Sequence, residues 1–481
     1  MSPTATALAA FAAMLVLIGL RAPVALAMLL VGSAGYAYLQ GPVLFFAFLK
    51  SSAYHLFANY TLSVIPLFIL MGAFAERAGI ATALFQSAAR SFGKARGGLA
   101  MAVIAACAGF GAICGSSVAT TATFGRAALP ELDRYRYNGG FSTSVIAVGG
   151  TLGILIPPSV ILVIYAISTE QNIAKLFQAA LVPGLLATAF YCITIAIVVR
   201  LRPGLAPSIG DAVSTPAAPR SWLQRAVGLA TVFAAPLLWW FASLSPLHAS
   251  LVFALGVAVA VIELAVMPAL IVAAIVIGGI YGGVFTPTEG AAVGAIAMLA
   301  IGLGQRTLSL VAISHSIRQT AVTSGMIFMI LLGSELFGSF LALSGLPAAA
   351  AQFISTSGLS PYVVLVGMLA FYILLGALMD EIAMLLLTLP VFFPVIQALD
   401  FGMPPDEVAI WFGILVLIVV GIGLTAPPIG LNVFVISAIA RGVPMTSTYV
   451  NVLPFIAADI LRLGLVVAVP GLALWLVRAL N

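Results

Sequence analysis

The sequence predicts an all-α polytopic membrane protein: two inverted repeats with re-entrant hairpins and broken transmembrane helices. Three observations carry this. The 481 residues are 63% hydrophobic and 7% charged, whereas a soluble domain carries about 25% charged residues to cover its surface. Two Pro-Pro pairs, Pro157-Pro158 and Pro427-Pro428, interrupt apolar runs in the two halves of the chain. Proline removes a backbone donor and clashes with the preceding turn, so each pair breaks a spanning helix, and matched broken helices mark a midplane binding site. Three features also recur in the same order: Gly72 with Gly333, Gly115 with Asp380, and Pro157 with Pro427.

Apolar runs near 5–20, 23–40, 42–57 and 61–78 open the chain. The start lacks a basic region before its apolar run, so it reads as a retained first helix. A Gly- and Ser-interrupted pair follows near 98–129, then a broken helix near 141–169 and a long run at 176–199. Residues 201–226 read as a cytoplasmic linker, dividing a first repeat at 1–200 from a second at 227–481. The second repeat holds extra helices near 227–270, a hairpin near 361–397, a broken helix near 408–440 and a last run at 449–478. Arg90, Lys94 and Arg96, then Arg200, Arg202, Arg220 and Arg225, sit in short connections, as the positive-inside rule places cytoplasmic loops. The net charge of +5 is therefore topological and implies no nucleic acid. Trp239-Trp240 reads as an interfacial anchor. Cys107, Cys114 and Cys192 have no metal spacing and read as packing residues, and no glycine-lysine nucleotide loop is present.

Four constellations bear on chemistry. Gly111–Thr121 is rich in small and hydroxyl residues, and its apolar arms are too short to span at about 1.5 Å per residue. That predicts a re-entrant hairpin with Gly115, Ser116 and Ser117 at its tip, able to offer oxygens to a small cation; close helix packing is the plainer reading. Asp380-Glu381 lies between short arms closing at Leu389-Pro390 and Pro394, which predicts a second tip. A carboxylate in lipid is costly unless paired or hydrated, so Asp380 is a functional candidate, ahead of Glu381. The two breaks bring Thr151, Gly153, Pro157, Pro158 and Ser159, and Thr425, Pro427, Pro428, Gly430 and Asn432. Finally, Thr286-Pro-Thr-Glu289 reads as a capping box, a structural helix start.

Gly115-Ser-Ser117, Gly153-Ile-Leu-Ile-Pro-Pro-Ser159, Gly278–Glu289 and Pro427-Pro-Ile-Gly-Leu-Asn432 together resemble the large membrane subunit of TRAP transporters, over residues 8–475. The resemblance implies a multi-pass protein of the bacterial inner membrane, working with a small four-helix membrane subunit and a periplasmic substrate-binding protein. It implies fuel from a sodium gradient, organic acids as substrates, and an elevator-type fold. By that analogy sodium binds at Gly115, Ser116, Ser117, Thr151, Asp380 and Thr425. The anionic substrate sits near Gly153–Ser159 and Gly430–Asn432, where half-helix N-termini favour negative charge. Gly421 and Ala426 stand where family members commonly carry Glu and Thr.

Three rivals remain open: a self-contained sodium–anion symporter of related fold, a passive channel, and an intramembrane enzyme using Asp380 and Glu381. Adjacent helical residues point about 100° apart, which weighs against the enzyme.

Overall fold

The computed structural model describes residues 2–92, 95–207 and 267–480. Within them the chain is α-helical, with no strand among the described residues. The extra helices before residue 267, the linker from 208 onward and Trp239-Trp240 lie outside the described residues.

The first repeat contains α4 (Val64–Arg77), α5 (Ile80–Phe92), α6 (Gly98–Cys114), α7 (Ser117–Arg134), α8 (Gly139–Leu155), α9 (Val160–Ser168) and α10 (Ile173–Leu201), after α1 (Pro3–Gly19), α2 (Val24–Gln40) and α3 (Pro42–Ala58). Then come α11 (Met267–Tyr281) and α12 (Pro287–Gly304). The same series recurs as α13 (Leu310–Ser344), α14 (Leu346–Thr356), α15 (Pro361–Gly376), α16 (Glu381–Gln397), α17 (Pro405–Gly423), α18 (Leu431–Ile439) and α19 (Met445–Ala468), with α20 (Gly471–Leu480) last. The chain turns between α6 and α7 and between α15 and α16, and helical structure is interrupted between α8 and α9 and between α17 and α18. By length and apolarity six described helices can each cross a membrane, and the pair α8–α9, bent by 43°, makes a seventh.

Four elements differ from the sequence reading. Helices α5 and α14 escape it because each is amphipathic, with Gln86 and Arg90 on one and Gln352 on the other, and neither forms an apolar run. Helix α16 does not close at Pro390 but runs through Pro390 and Pro394 to Gln397. The last run is two helices, parted at Val469-Pro470.

Two groups of helices emerge from the packing. Helices α1, α2, α4, α11, α12 and α13 form a framework. Its tightest seam has Gly32 of α2 so close to α13 that a Cβ there would lie 2.7 Å from the Phe337 nitrogen. The hairpins, broken helices, α10 and α19 form the second group. Within it the repeats exchange parts: α18 packs on α7 and α8, and α9 packs on α16 and α17. Tyr165 of α9 donates its hydroxyl proton to the Ala409 carbonyl of α17 at 2.6 Å. The reciprocal exchange is what two inverted repeats sharing one core require.

Framework and core touch through few polar contacts, among them Ser334 Oγ donating to the Leu386 carbonyl at 2.8 Å and the ion pair Arg126–Glu76. Helix α12 starts with Thr286 accepting from the Glu289 nitrogen at 3.3 Å, while the Glu289 carboxylate accepts from the Thr286 nitrogen at 2.8 Å. Losing such a cap costs about 1 kcal/mol. Thr286→Ala is therefore expected to lower the thermal midpoint by a few degrees, which a thermal scan of the purified variant checks.

Candidate functional site: two hairpin tips on two helix breaks

Hairpin α6–α7 turns at Gly115, whose φ of +64° is easy for glycine and strained for other residues. Ser116 caps α7, accepting from the Ala119 nitrogen at 3.4 Å. The tip rests on the first break: the Gly115 carbonyl accepts from the Val160 nitrogen at 3.4 Å. The approach is close enough that a Cβ on Gly115 would meet the Pro158 carbonyl oxygen at 2.8 Å. A Cβ on Gly153 would lie 2.6 Å from the Ser116 carbonyl oxygen. Pro157, Pro158 and Ser159 are all buried here, and Ser159 caps α9.

The second tip repeats this contact. The Ala377 carbonyl accepts from the Ile429 nitrogen at 3.2 Å, and Gly376 lies against Gly423, where a Cβ would sit 2.7 Å from the Gly376 backbone. Gly430 has φ of +51° and opens α18. Exposure separates the two pairs. The first break is buried, whereas Ile429 is 45% and Leu378 51% exposed, with Pro427 and Pro428 exposed between them.

Asn432 joins the halves. Its Nδ2 donates to Ser117 Oγ at 2.8 Å and to the Ala147 carbonyl at 3.0 Å, and all three residues are buried. Asn432 Oδ1 and Thr121 Oγ1 are buried without a hydrogen-bond partner among the described residues. Thr121 faces Gly150, where a Cβ would also lie 3.1 Å from the Ser117 carbonyl oxygen. These hydroxyl, amide and carbonyl oxygens are the donor type that a hard cation takes.

The other expected residues fall differently. Thr425 is buried, with its hydroxyl on the carbonyls of Gly421 and Ile422 in its own helix. The Asp380 carboxylate caps α16, accepting from the Ala383 nitrogen at 3.2 Å, and it is half-buried. Glu381 is the deeper acid, only 6% exposed, and its Oε2 has no hydrogen-bond partner among the described residues. Contact with the second break is made by Gly376 and Ala377, one turn before Asp380.

Thr151 turns toward residues the sequence reading passed over. Its hydroxyl lies 3.1 Å from the Tyr191 hydroxyl, which donates to Asp459 Oδ2 at 2.8 Å. Asp459 Oδ1 accepts from Arg462 Nη2 at 2.7 Å, and Arg462 Nη1 donates to the Pro183 carbonyl at 3.3 Å. Asp459 and Arg462 were legible as an acid and a base three apart in an apolar run, the spacing that faces one side of a helix. Gly421 flanks the same threonine; a Cβ there would lie 3.6 Å from Thr151 Cβ.

The chain has relatives among known proteins. Residues 11–472 match the DctM component of the tripartite ATP-independent periplasmic transporters. The chain belongs to this family. The C4-dicarboxylate TRAP transporter large permease protein DctM of Pseudomonas aeruginosa is 33% identical over 86% of each chain. The sialic acid TRAP transporter large permease protein SiaM of Vibrio cholerae is 28% identical over 87% of this chain and 86% of that one. In fold, the chain is similar to the YdaH transporter of Alcanivorax borkumensis, with a TM-score of 0.59, 14% identity, and 91% and 89% of the two chains covered. The DctM-family chain is thus a large permease subunit, a multi-pass protein of the bacterial inner membrane, in a transporter class that is not an enzyme class.

Proposed function

We propose that this chain is the translocation subunit of a sodium-coupled tripartite secondary transporter. It imports a small organic anion, a carboxylate, delivered by a periplasmic binding protein, and works beside a small four-helix membrane subunit. The observation that carries the reading is the pair of tip-on-break contacts with unequal exposure: the first break is buried, whereas the second exposes Leu378 and the run from Pro427 to Ile429. An elevator-type carrier needs one such asymmetric state, with the hairpin core moving against the framework across a seam of few polar contacts. The repeats at 1–200 and 227–481 would be joined through the cytoplasmic linker.

Sodium is assigned to Gly115, Ser116, Ser117 and Thr151 in the first repeat and to Asp380 and Thr425 in the second. The carboxylate is assigned to the starts of α9 and α18, where the helix dipole favours an anion. Relatives named for C4-dicarboxylates and sialic acid, both carboxylates, support that substrate class.

The test is uptake of a labelled C4-dicarboxylate into proteoliposomes holding this chain and its small subunit, with binding protein outside. Accumulation that needs an inward sodium gradient and both partners is the expected result. Equal uptake without the binding protein would replace the tripartite reading by the self-contained symporter. Ser116→Ala and Asp380→Ala are expected to abolish the sodium-driven component while folded protein persists; wild-type sodium dependence in both would remove the site assignment.

A further inference from the structure

We propose that Tyr191, Asp459 and Arg462 are positioning residues that set the direction of the Thr151 hydroxyl, so that it presents lone pairs to a cation. The inference rests on the assignment of Thr151 to the sodium site. Tyr191, Asp459 and Arg462 lie outside that assignment and outside the two breaks.

A carboxylate only accepts hydrogen bonds. Asp459 therefore fixes the single Tyr191 hydroxyl proton on its Oδ2, at 2.8 Å. Tyr191 then has no proton left to give Thr151, 3.1 Å away, and can only accept from it. The other neighbour of the Thr151 hydroxyl is the Val148 carbonyl at 2.7 Å, which also only accepts. Whichever of the two takes the Thr151 proton, neither donates to its oxygen. The threonine oxygen is left with its lone pairs undonated, which is the state a cation needs.

Arg462 keeps this arrangement fixed. Its Nη2 bond at 2.7 Å orients the Asp459 carboxylate, and its Nη1 bond at 3.3 Å ties the pair to the Pro183 carbonyl of α10. The next residue, Gly184, packs on the break itself: a Cβ there would lie 3.2 Å from the Leu155 carbonyl oxygen. The relay thus spans α8, α10 and α19 and grips the first broken helix at Thr151 and at its end. Tyr191, Asp459 and Arg462 are all buried, so water does not compete for these bonds. A chain of donors ending on a buried ion pair is a costly thing to place in a membrane, and a role in ion binding accounts for it.

The experiment measures sodium half-saturation of uptake, and substrate half-saturation at saturating sodium, in Thr151→Ala, Thr151→Ser, Tyr191→Phe and the pair Asp459→Leu with Arg462→Met. The pair removes both charges together and frees the Tyr191 proton to donate to Thr151, so the pair and Thr151→Ala are each expected to raise half-saturating sodium about tenfold, the equivalent of roughly 1.4 kcal/mol. Substrate half-saturation stays unchanged, and Thr151→Ser, which keeps the hydroxyl, stays near wild type. Tyr191→Phe adds no donor, so alone it stays near wild type in sodium, and added to the pair it restores sodium affinity. A loss of packing alone would lower the maximal rate without this split and would not be restored by Tyr191→Phe. Wild-type sodium dependence in the pair alongside a shifted Thr151→Ala, or a tenfold shift in Tyr191→Phe alone, overturns the positioning role and leaves the sodium site standing. Wild-type dependence in Thr151→Ala overturns the site assignment itself.

Discussion

Replacing Asn432 by aspartate is expected to abolish uptake, and to do so more completely than replacement by alanine. The Asn432 amide is the one described side chain that donates from the second broken helix to both the first hairpin and the first broken helix, through Ser117 Oγ and the Ala147 carbonyl. Alanine removes those bonds, a loss of about 1–3 kcal/mol for buried polar groups left unpaired. That is roughly a tenfold to hundredfold fall in the population of the closed first cluster. Aspartate does worse, because it sets an acceptor, and a charge, against the Ala147 carbonyl, which cannot donate. An unpaired carboxylate in this setting costs several kcal/mol more. Uptake at equal membrane levels is expected to rank wild type, then alanine, then aspartate at background. Wild-type uptake by Asn432→Asp would mean that the amide is not where the repeats are joined.

The halves of this site were unequally legible. Proline pairs and glycine-serine tips are local chemical statements, so both breaks and both hairpins could be read directly from residues 115–117, 157–158, 380–381 and 427–428. The amphipathic helices α5 and α14 were not, because they offer no apolar run. Proline is also an ambiguous sign: at 157 and 427 it breaks a helix, and at 390 and 394 it sits inside one. The difference lies in the pairing: at 157 and 427 two adjacent prolines remove consecutive backbone donors, whereas Pro390 and Pro394 stand singly, four residues apart. Rotation about a helix axis was the least legible quantity. The sequence places Thr151 one turn before the break but does not say that it faces Tyr191, and it places Asp380 and Glu381 together without saying which is buried. Those facts depend on which helix lies alongside: the packing of α10 and α19 against α8 supplies the first, and that of α9, α13, α14 and α17 against α16 the second.

Gly153→Ala is expected to reduce uptake at least tenfold, and no change at the facing side chain should restore it. A Cβ at Gly153 would meet two oxygens at 2.6 Å, Ser116 O and Thr120 Oγ1. The threonine can be removed by Thr120→Ala, but the carbonyl belongs to the hairpin tip itself. To admit the methyl group the tip must lift from the break, and with it the Gly115–Val160 bond. Overpacking of this kind costs about 1–3 kcal/mol, concentrated here on the contact that forms the site. Gly149, one turn away on α8, provides the contrast. A Cβ there would lie 2.9 Å from Cys107 Sγ, and its other near neighbours are ordinary contacts at 3.4 Å. Gly149→Ala should therefore also impair the carrier, but Cys107→Ala should rescue it. Uptake and thermal unfolding of the four variants would separate the cases. Rescue of Gly153→Ala by Thr120→Ala would show that the tip tolerates displacement, and that the close fit of hairpin to break is packing without consequence for transport.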